Sequence, residues 1–154
     1  MMDYRPHVQM HSIFNTPPTF AIYVVLLVLR WLHEEIGGLE AMNRINEAKA
    51  TLLYETLDQS AGFYRGRARK ADRSLMNVSF NLPEPAMERE FLSKAESAGL
   101  YGLEGHRSCG GLRASLYNAV TLDSVATLCE FMRDFQVEQA IQPSHEDRLF
   151  EAAR

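Results

Sequence analysis

Residues 105–119, GHRSCGGLRASLYNA, set His106 and Arg107 side by side, follow them with the glycine pair Gly110 and Gly111, and return to arginine at Arg113. The guanidinium of arginine is a planar fork of donors that matches carboxylate and phosphate, and a neighbouring histidine adds a donor when protonated. Two such groups around a glycine turn can grip a small molecule that carries two anionic groups. A plainer reading also stands on these residues: Arg107 solvated in a loop, His106 a satisfied polar side chain, Arg113 paired with an acidic residue. A second anion-binding candidate is NTPPTF, residues 15–20. A helix opening at Pro17 would present unbonded N–H groups and its positive end to a phosphate, with Asn15 and Thr16 as extra donors. Its plain counterpart is an ordinary capped helix start.

The chain that must position these groups has 154 residues, 46% of them apolar, enough for one core and most simply one globular domain. A formal charge of -4 argues against a broad nucleic-acid footprint, so anion recognition should be local. Cys109 and Cys129 form no CxxC motif, and the expected compartment is the reducing cytoplasm. The opening MMDYRPHVQM has no apolar core of a secretory signal. The run FAIYVVLLVL ends at Arg30, well short of the roughly 20 residues a membrane span needs, and reads as a buried helix with no membrane role.

Residues 1–14 lack a period and read as an extended arm. Thr16 as N-cap and Pro17 at the first helical position predict a helix to about Ile36, stopped by Gly37 and Gly38. Leu39, Met42, Ile45, Ala48, Leu52 and Leu57 predict a second helix to about Ser60. After the basic stretch RGRARKADR, Met76, Val78, Phe80 and Leu82 alternate with Asn77, Ser79 and Asn81, the pattern of a half-buried strand. Pro83 and Pro85 open a helix that Gly99 ends. A short LYGL strand, residues 100–103, then leads to Leu112, Ala114 and Leu116, which alternate so as to turn Arg113 off the core face. Thr121 caps a last helix striped with Val125, Leu128, Met132 and Phe135. The result is an α/β fold: a small antiparallel or mixed sheet covered by helices on one side, preceded by an arm and two helices.

Weaker candidates reduce to structure. His7 and His11 are four apart, but Pro6 and the absent period place them in a loop with no third ligand, so no metal is expected. RGRARKADR reads as a solvated charge run rather than a nucleic-acid site. No phosphate-binding P-loop, GxGxxG or GxSxG motif is present.

Taken in order, NTPPTFAIY, SLMNVSF and GHRSCGGLRASLYNA closely resemble the C-terminal part of the phosphoserine aminotransferase family, from about Asp3 to about Phe135. The resemblance implies the C-terminal small domain of a fold-type I, pyridoxal 5'-phosphate-dependent enzyme of serine biosynthesis. The segments would be residues 1–19 as an arm with the NTPP motif, 20–138 as the small domain and 139–154 as a polar tail. It implies that Asn15 and Thr16 reach the cofactor phosphate in the active site of the neighbouring subunit of a homodimer. It implies that His106 and Arg107 meet the phosphate of phosphoserine, also across the dimer, and that Arg113 holds the α-carboxylate of phosphoserine or glutamate. Phe14 and Cys109 depart from the family's usual tyrosine and aliphatic residue without touching these anion clamps.

Transamination also needs a Schiff-base lysine. Lys49, Lys70 and Lys94 are the lysines of this chain, and none stands in a context like that of the family's cofactor lysine, which precedes the NTPP motif. No catalytic residue is therefore expected here, and the chain alone is expected to be inactive. A different class of reading remains beside it: a non-catalytic module that binds phosphorylated metabolites or complements a separate large domain.

Overall fold

A computed structural model describes residues 3–141 of the chain. Most of the polar tail expected over 139–154 lies outside the described residues. The chain divides between Met42 and Asn43 into two compact units.

The first unit holds a short helix α1 (Arg5–Gln9), a long helix α2 (Thr19–Glu34) and the first turn of α3 (Leu39–Gln59). The arm is thus not extended throughout: Pro6 occupies a first-turn position of α1, where its missing N–H costs nothing. The start of α2 also departs from expectation. Thr16 is not its N-cap, and the helix begins two residues beyond Pro17. Pro18 disfavours helical backbone in the residue before it, so Pro17 cannot open the helix. The end is as expected: Gly37 and Gly38 have φ of 90° and 95°, and the Gly38 N–H closes on the Leu32 carbonyl at 2.8 Å. No helix among the described residues is long and apolar enough to cross a membrane. Yet Phe20 and every residue from Ile22 to Leu29 is exposed, the least of them at 41%.

In the second unit, α3 is followed by β1 (Arg65–Gly66), a 3-10 turn (Lys70–Asp72), β2 (Asn77–Asn81), α4 (Pro85–Ser97), β3 (Leu112–Ser115) and α5 (Leu122–Ile141). The sheet is antiparallel in the order β1-β2-β3, with Arg65 opposite Asn81 and Ser79 opposite Arg113. The first strand comes from the basic stretch read as loop. LYGL is correspondingly not a strand: Gly102 takes φ 74° and Tyr101 is exposed. Only a bridge from Glu104 to Leu112 and a bond from the Arg113 N–H to the Leu103 carbonyl at 2.8 Å tie this segment to β3.

Strand alternation decides which face is covered. Val78, Phe80, Leu112 and Ala114 are buried against Leu53 and Leu57 of α3, Phe91 and Ala95 of α4, and the stripe Val125, Leu128, Met132 and Phe135 of α5. Phe91 is the hub, with edge-on aromatic contacts to Tyr64, Phe80, Phe131 and Phe135. The Tyr64 hydroxyl donates to the Met132 carbonyl at 2.8 Å, and burial pushes its pKa upward. The Thr121 hydroxyl accepts the Ser124 N–H at 3.1 Å, capping α5 as expected.

Candidate functional site

The uncovered face of the sheet holds the side chains that alternate with the core: Ser79 and Asn81 on β2, Arg113 and Ser115 on β3, all half-buried. Arg113 carries the informative feature. Its Nε is buried with no hydrogen-bond partner among the described residues. A buried donor left unsatisfied costs on the order of 1–3 kcal/mol, and a bound carboxylate would remove that cost. The acidic partner offered by the plainer sequence reading is not found among the described residues.

The loop running into β3 holds the other two candidates. The His106 carbonyl accepts both the Cys109 N–H at 2.9 Å and the Gly110 N–H at 2.8 Å, which makes a closed turn of HRSCG. The Gly105 N–H reaches the Gly111 carbonyl at 2.9 Å and pins the base of the loop. His106 Nδ1 accepts the Ser108 N–H at 3.2 Å and lies 2.7 Å from the Ser108 hydroxyl. That acceptor role assigns the ring proton to Nε2. Arg107 is exposed and makes no ion pair among the described residues. The turn thus supplies an N–H donor and an unpaired guanidinium, a combination suited to a phosphate.

Sequence reasoning missed what holds this turn. Arg67, part of the supposed solvated charge run, extends β1 by donating its N–H to the Ser79 carbonyl at 3.0 Å. Its Nε donates to Asn81 Oδ1 at 2.7 Å and its Nη2 to the Cys109 carbonyl at 2.6 Å. Asn81 Nδ2 in turn donates to Glu88 Oε1 at 2.8 Å. Gly111 makes room for this crossing: a Cβ there would stand 2.5 Å from Asn81 Nδ2 and 3.0 Å from Arg67 Nη2. The paired glycines carried a signal that something passes close to the backbone, but not what.

Beyond β3, Lys49 of α3 is fully buried and donates to the carbonyls of Leu116, Tyr117 and Val120 at 3.3, 2.9 and 3.0 Å. Burial lowers its pKa. Lys70 pairs with Asp58 at 3.3 Å, and Lys94 with Glu90 at 2.9 Å and Glu138 at 2.6 Å. Lys49 is built into the fold, whereas Lys70 and Lys94 are engaged in ion pairs at the surface.

In the first unit, Asn15 and Thr16 are exposed in the irregular segment before α2, whose first turn carries no side-chain cap. They lie in a different unit from His106, Arg107 and Arg113, which the second unit brings onto one loop and the strand it feeds. His7 and His11 join no group of metal-ligating residues among the described residues.

The pattern that defines the family described as Aminotransferase class-V matches residues 3–128. Among curated proteins, the phosphoserine aminotransferase of Campylobacter jejuni (strain RM1221) is 53% identical over 141 residues, which is 91% of this chain and 39% of that protein. That of Bacillus subtilis (strain 168) is 51% identical over 138 residues, 90% of this chain and 38% of that protein. Among solved structures, the phosphoserine aminotransferase of Bacillus circulans subsp. alkalophilus superposes with a TM-score of 0.82 at 48% identity, covering 88% of this chain and 37% of that one. A pyridoxal phosphate-bound phosphoserine aminotransferase from Trichomonas vaginalis gives 0.76 at 38% identity, covering 86% and 38%. The chain therefore spans about two-fifths of the length of the relatives it matches. Its small antiparallel sheet with helices on one face is part of the fold of those aminotransferases. On the match over residues 3–128, this chain belongs to the class-V aminotransferases.

Proposed function

We propose that the chain supplies the anion clamps of a phosphoserine transaminase, which exchanges an amino group between L-glutamate and 3-phosphohydroxypyruvate to give 2-oxoglutarate and O-phospho-L-serine. The observation that carries this reading is the buried, unpartnered Nε of Arg113 on the strand fed by a turn bearing an unpaired Arg107. A substrate with a carboxylate at one end and a dianionic phosphate at the other needs two separated cationic grips. Arg113 holds the α-carboxylate, common to both amino acids; His106 and Arg107 hold the phosphate, which glutamate lacks.

Pyridoxal 5'-phosphate fits the donors at the other motif. Asn15 and Thr16 offer an amide and a hydroxyl beside the uncapped first turn of α2, a donor set suited to a phosphate. The cofactor, when bound, supplies the electron sink for the α-carbon chemistry. Asn15 and Thr16 hold its phosphate and do no more. The clamps act in a homodimer, each subunit lending groups to its partner's site, and the setting is the cytoplasm.

The covalent cofactor lysine is not among Lys49, Lys70 and Lys94, whose bonds to carbonyls and carboxylates support the expectation that this chain alone does not transaminate. One further feature favours action together with more polypeptide: the apolar residues of α2 from Phe20 to Leu29 are exposed on every side of the helix, whereas a helix apolar all round belongs in an interior. The test is calorimetric titration of the purified chain with O-phosphoserine, beside an assay of amino transfer with pyridoxal phosphate added. Binding that weakens about tenfold or more in Arg107→Ala, with no turnover, is the expected result. Turnover by the purified chain alone, or binding indifferent to Arg107, would overturn the reading.

A further inference from the structure

We propose that Arg67 is a positioning residue for the phosphate clamp, a strap that crosses the sheet and fixes the turn from which His106 and Arg107 project. The inference rests on the reading of that turn as the phosphate grip. Its basis is connectivity. Within the turn, the hydrogen bonds are local: His106 to Ser108, Cys109 and Gly110. Among the described residues, the one side-chain bond that reaches residues 106–110 from outside is that of Arg67 Nη2 to the Cys109 carbonyl at 2.6 Å. The Cys109 N–H is bonded to the His106 carbonyl, so fixing the Cys109 peptide on both sides fixes the exit of the turn relative to its entry.

The strap is itself held. Its backbone is in register with β2 through the Ser79 carbonyl, and its Nε is fixed by Asn81 Oδ1 at 2.7 Å. Asn81 keeps its amide orientation because Nδ2 donates to Glu88 Oε1, which also accepts the Leu82 N–H at 3.3 Å. A chain of bonds thus runs from the first turn of α4 through β2 to the turn. Two donors diverging from one planar group are what the arrangement demands, and lysine cannot supply them. Gly111 is the steric counterpart, since a side chain there would occupy the path of the strap. Arg67 touches neither substrate nor cofactor in this proposal; it acts through the Cys109 peptide.

Amide hydrogen exchange of the full chain tests it, with Arg67→Ala, Arg67→Lys and the charge-neutral Asn81→Ala. We expect the Cys109 and Gly110 amides to exchange about tenfold faster in all three, the scale of one lost charge-assisted hydrogen bond. Ladder amides such as Val78 and Ala114 should stay protected, which shows the sheet intact. Unchanged exchange at Cys109 and Gly110 in Arg67→Ala would overturn the strap. Should Arg67→Ala lose protection globally, Asn81→Ala decides by the same criterion. Titration with inorganic phosphate gives the second arm: Arg67→Lys should bind as weakly as Arg67→Ala. Binding retained in Arg67→Lys would mean that charge and not geometry matters, and would also overturn the strap. A wild-type chain that binds no phosphate refutes the clamp, while the exchange result still decides whether the strap holds the turn.

Discussion

Lys49 Nζ lies 2.9 Å from the carbonyl oxygen of Tyr117, at the centre of three carbonyls and with its side chain fully buried. A cation in this position closes the turn after β3 onto α3, helped by the bond from Asn46 Nδ2 to Asn118 Oδ1 at 2.9 Å. It does so at the cost of its own desolvation, which lowers its pKa.

Because the folded-state pKa of Lys49 is depressed, the unfolded chain binds more protons just below the ordinary lysine value of about 10.4. Stability should therefore rise with pH as that value is approached from below. In Lys49→Met this contribution to the slope should vanish, and the protein should be less stable at neutral pH because three carbonyls lose their donor. Denaturant melts of both forms at a series of pH values check it; identical slopes would show that Lys49 does not titrate as argued.

The roles proposed for the two arginines should separate by substrate. Arg107→Ala should weaken O-phosphoserine binding about tenfold or more, the scale of a lost charged hydrogen bond, and leave glutamate nearly unchanged. Arg113→Ala should weaken both, since both ligands carry an α-carboxylate. Calorimetric titrations of the two variants with the two ligands give the comparison, and equal losses everywhere would contradict the assignment.

Asp58 should make the chain acid-sensitive in a narrow window. The Arg73 guanidinium, with Lys70 beyond it, lowers the Asp58 pKa to about 2. A depressed carboxylate contributes stability above its unfolded pKa of about 3.9 and loses it as pH falls toward 2. Asp58 is partly exposed, so the contribution is modest. Asp58→Asn should flatten the stability profile between pH 4 and 2, read by circular dichroism.

Gly111→Ala and Gly110→Ala should differ although the residues are adjacent. Both have positive φ, 72° and 61°, a strain of roughly 1 kcal/mol for alanine. At Gly111 the new methyl would also meet Asn81, Arg67 and the Phe80 carbonyl, whereas at Gly110 nothing lies within 4 Å. Thermal melts should show the larger loss for Gly111→Ala. A Gly110→Ala loss of equal size would mean that backbone strain alone sets the cost.

Periodicity made most of the fold legible. The bounds of α3, the core faces of β2 and β3 and the stripe of α5 follow from apolar spacing, and spacing is a local property. The start of α2 is legible as well, because the effect of Pro18 on Pro17 overrides the capping preference of Thr16. β1 was not: two residues, Arg65 and Gly66, carry no alternation, and only pairing with Phe80 and Asn81 makes them a strand. The same holds at the site. His106, Arg107 and Arg113 announce themselves by type and by the glycines between them. Arg67 does not, because its partner Cys109 is 42 positions away and the basic run around it looks solvated.

The exposed apolar surface of α2 has a consequence for how long such a chain survives in a cell. Uncovered greasy helix is what chaperones and quality-control proteases respond to, and a stability loss of only about 1–2 kcal/mol shifts abundance several-fold through that triage. Cellular half-life, rather than any rate of chemistry, should then be the property that changes first when α2 is left without a cover.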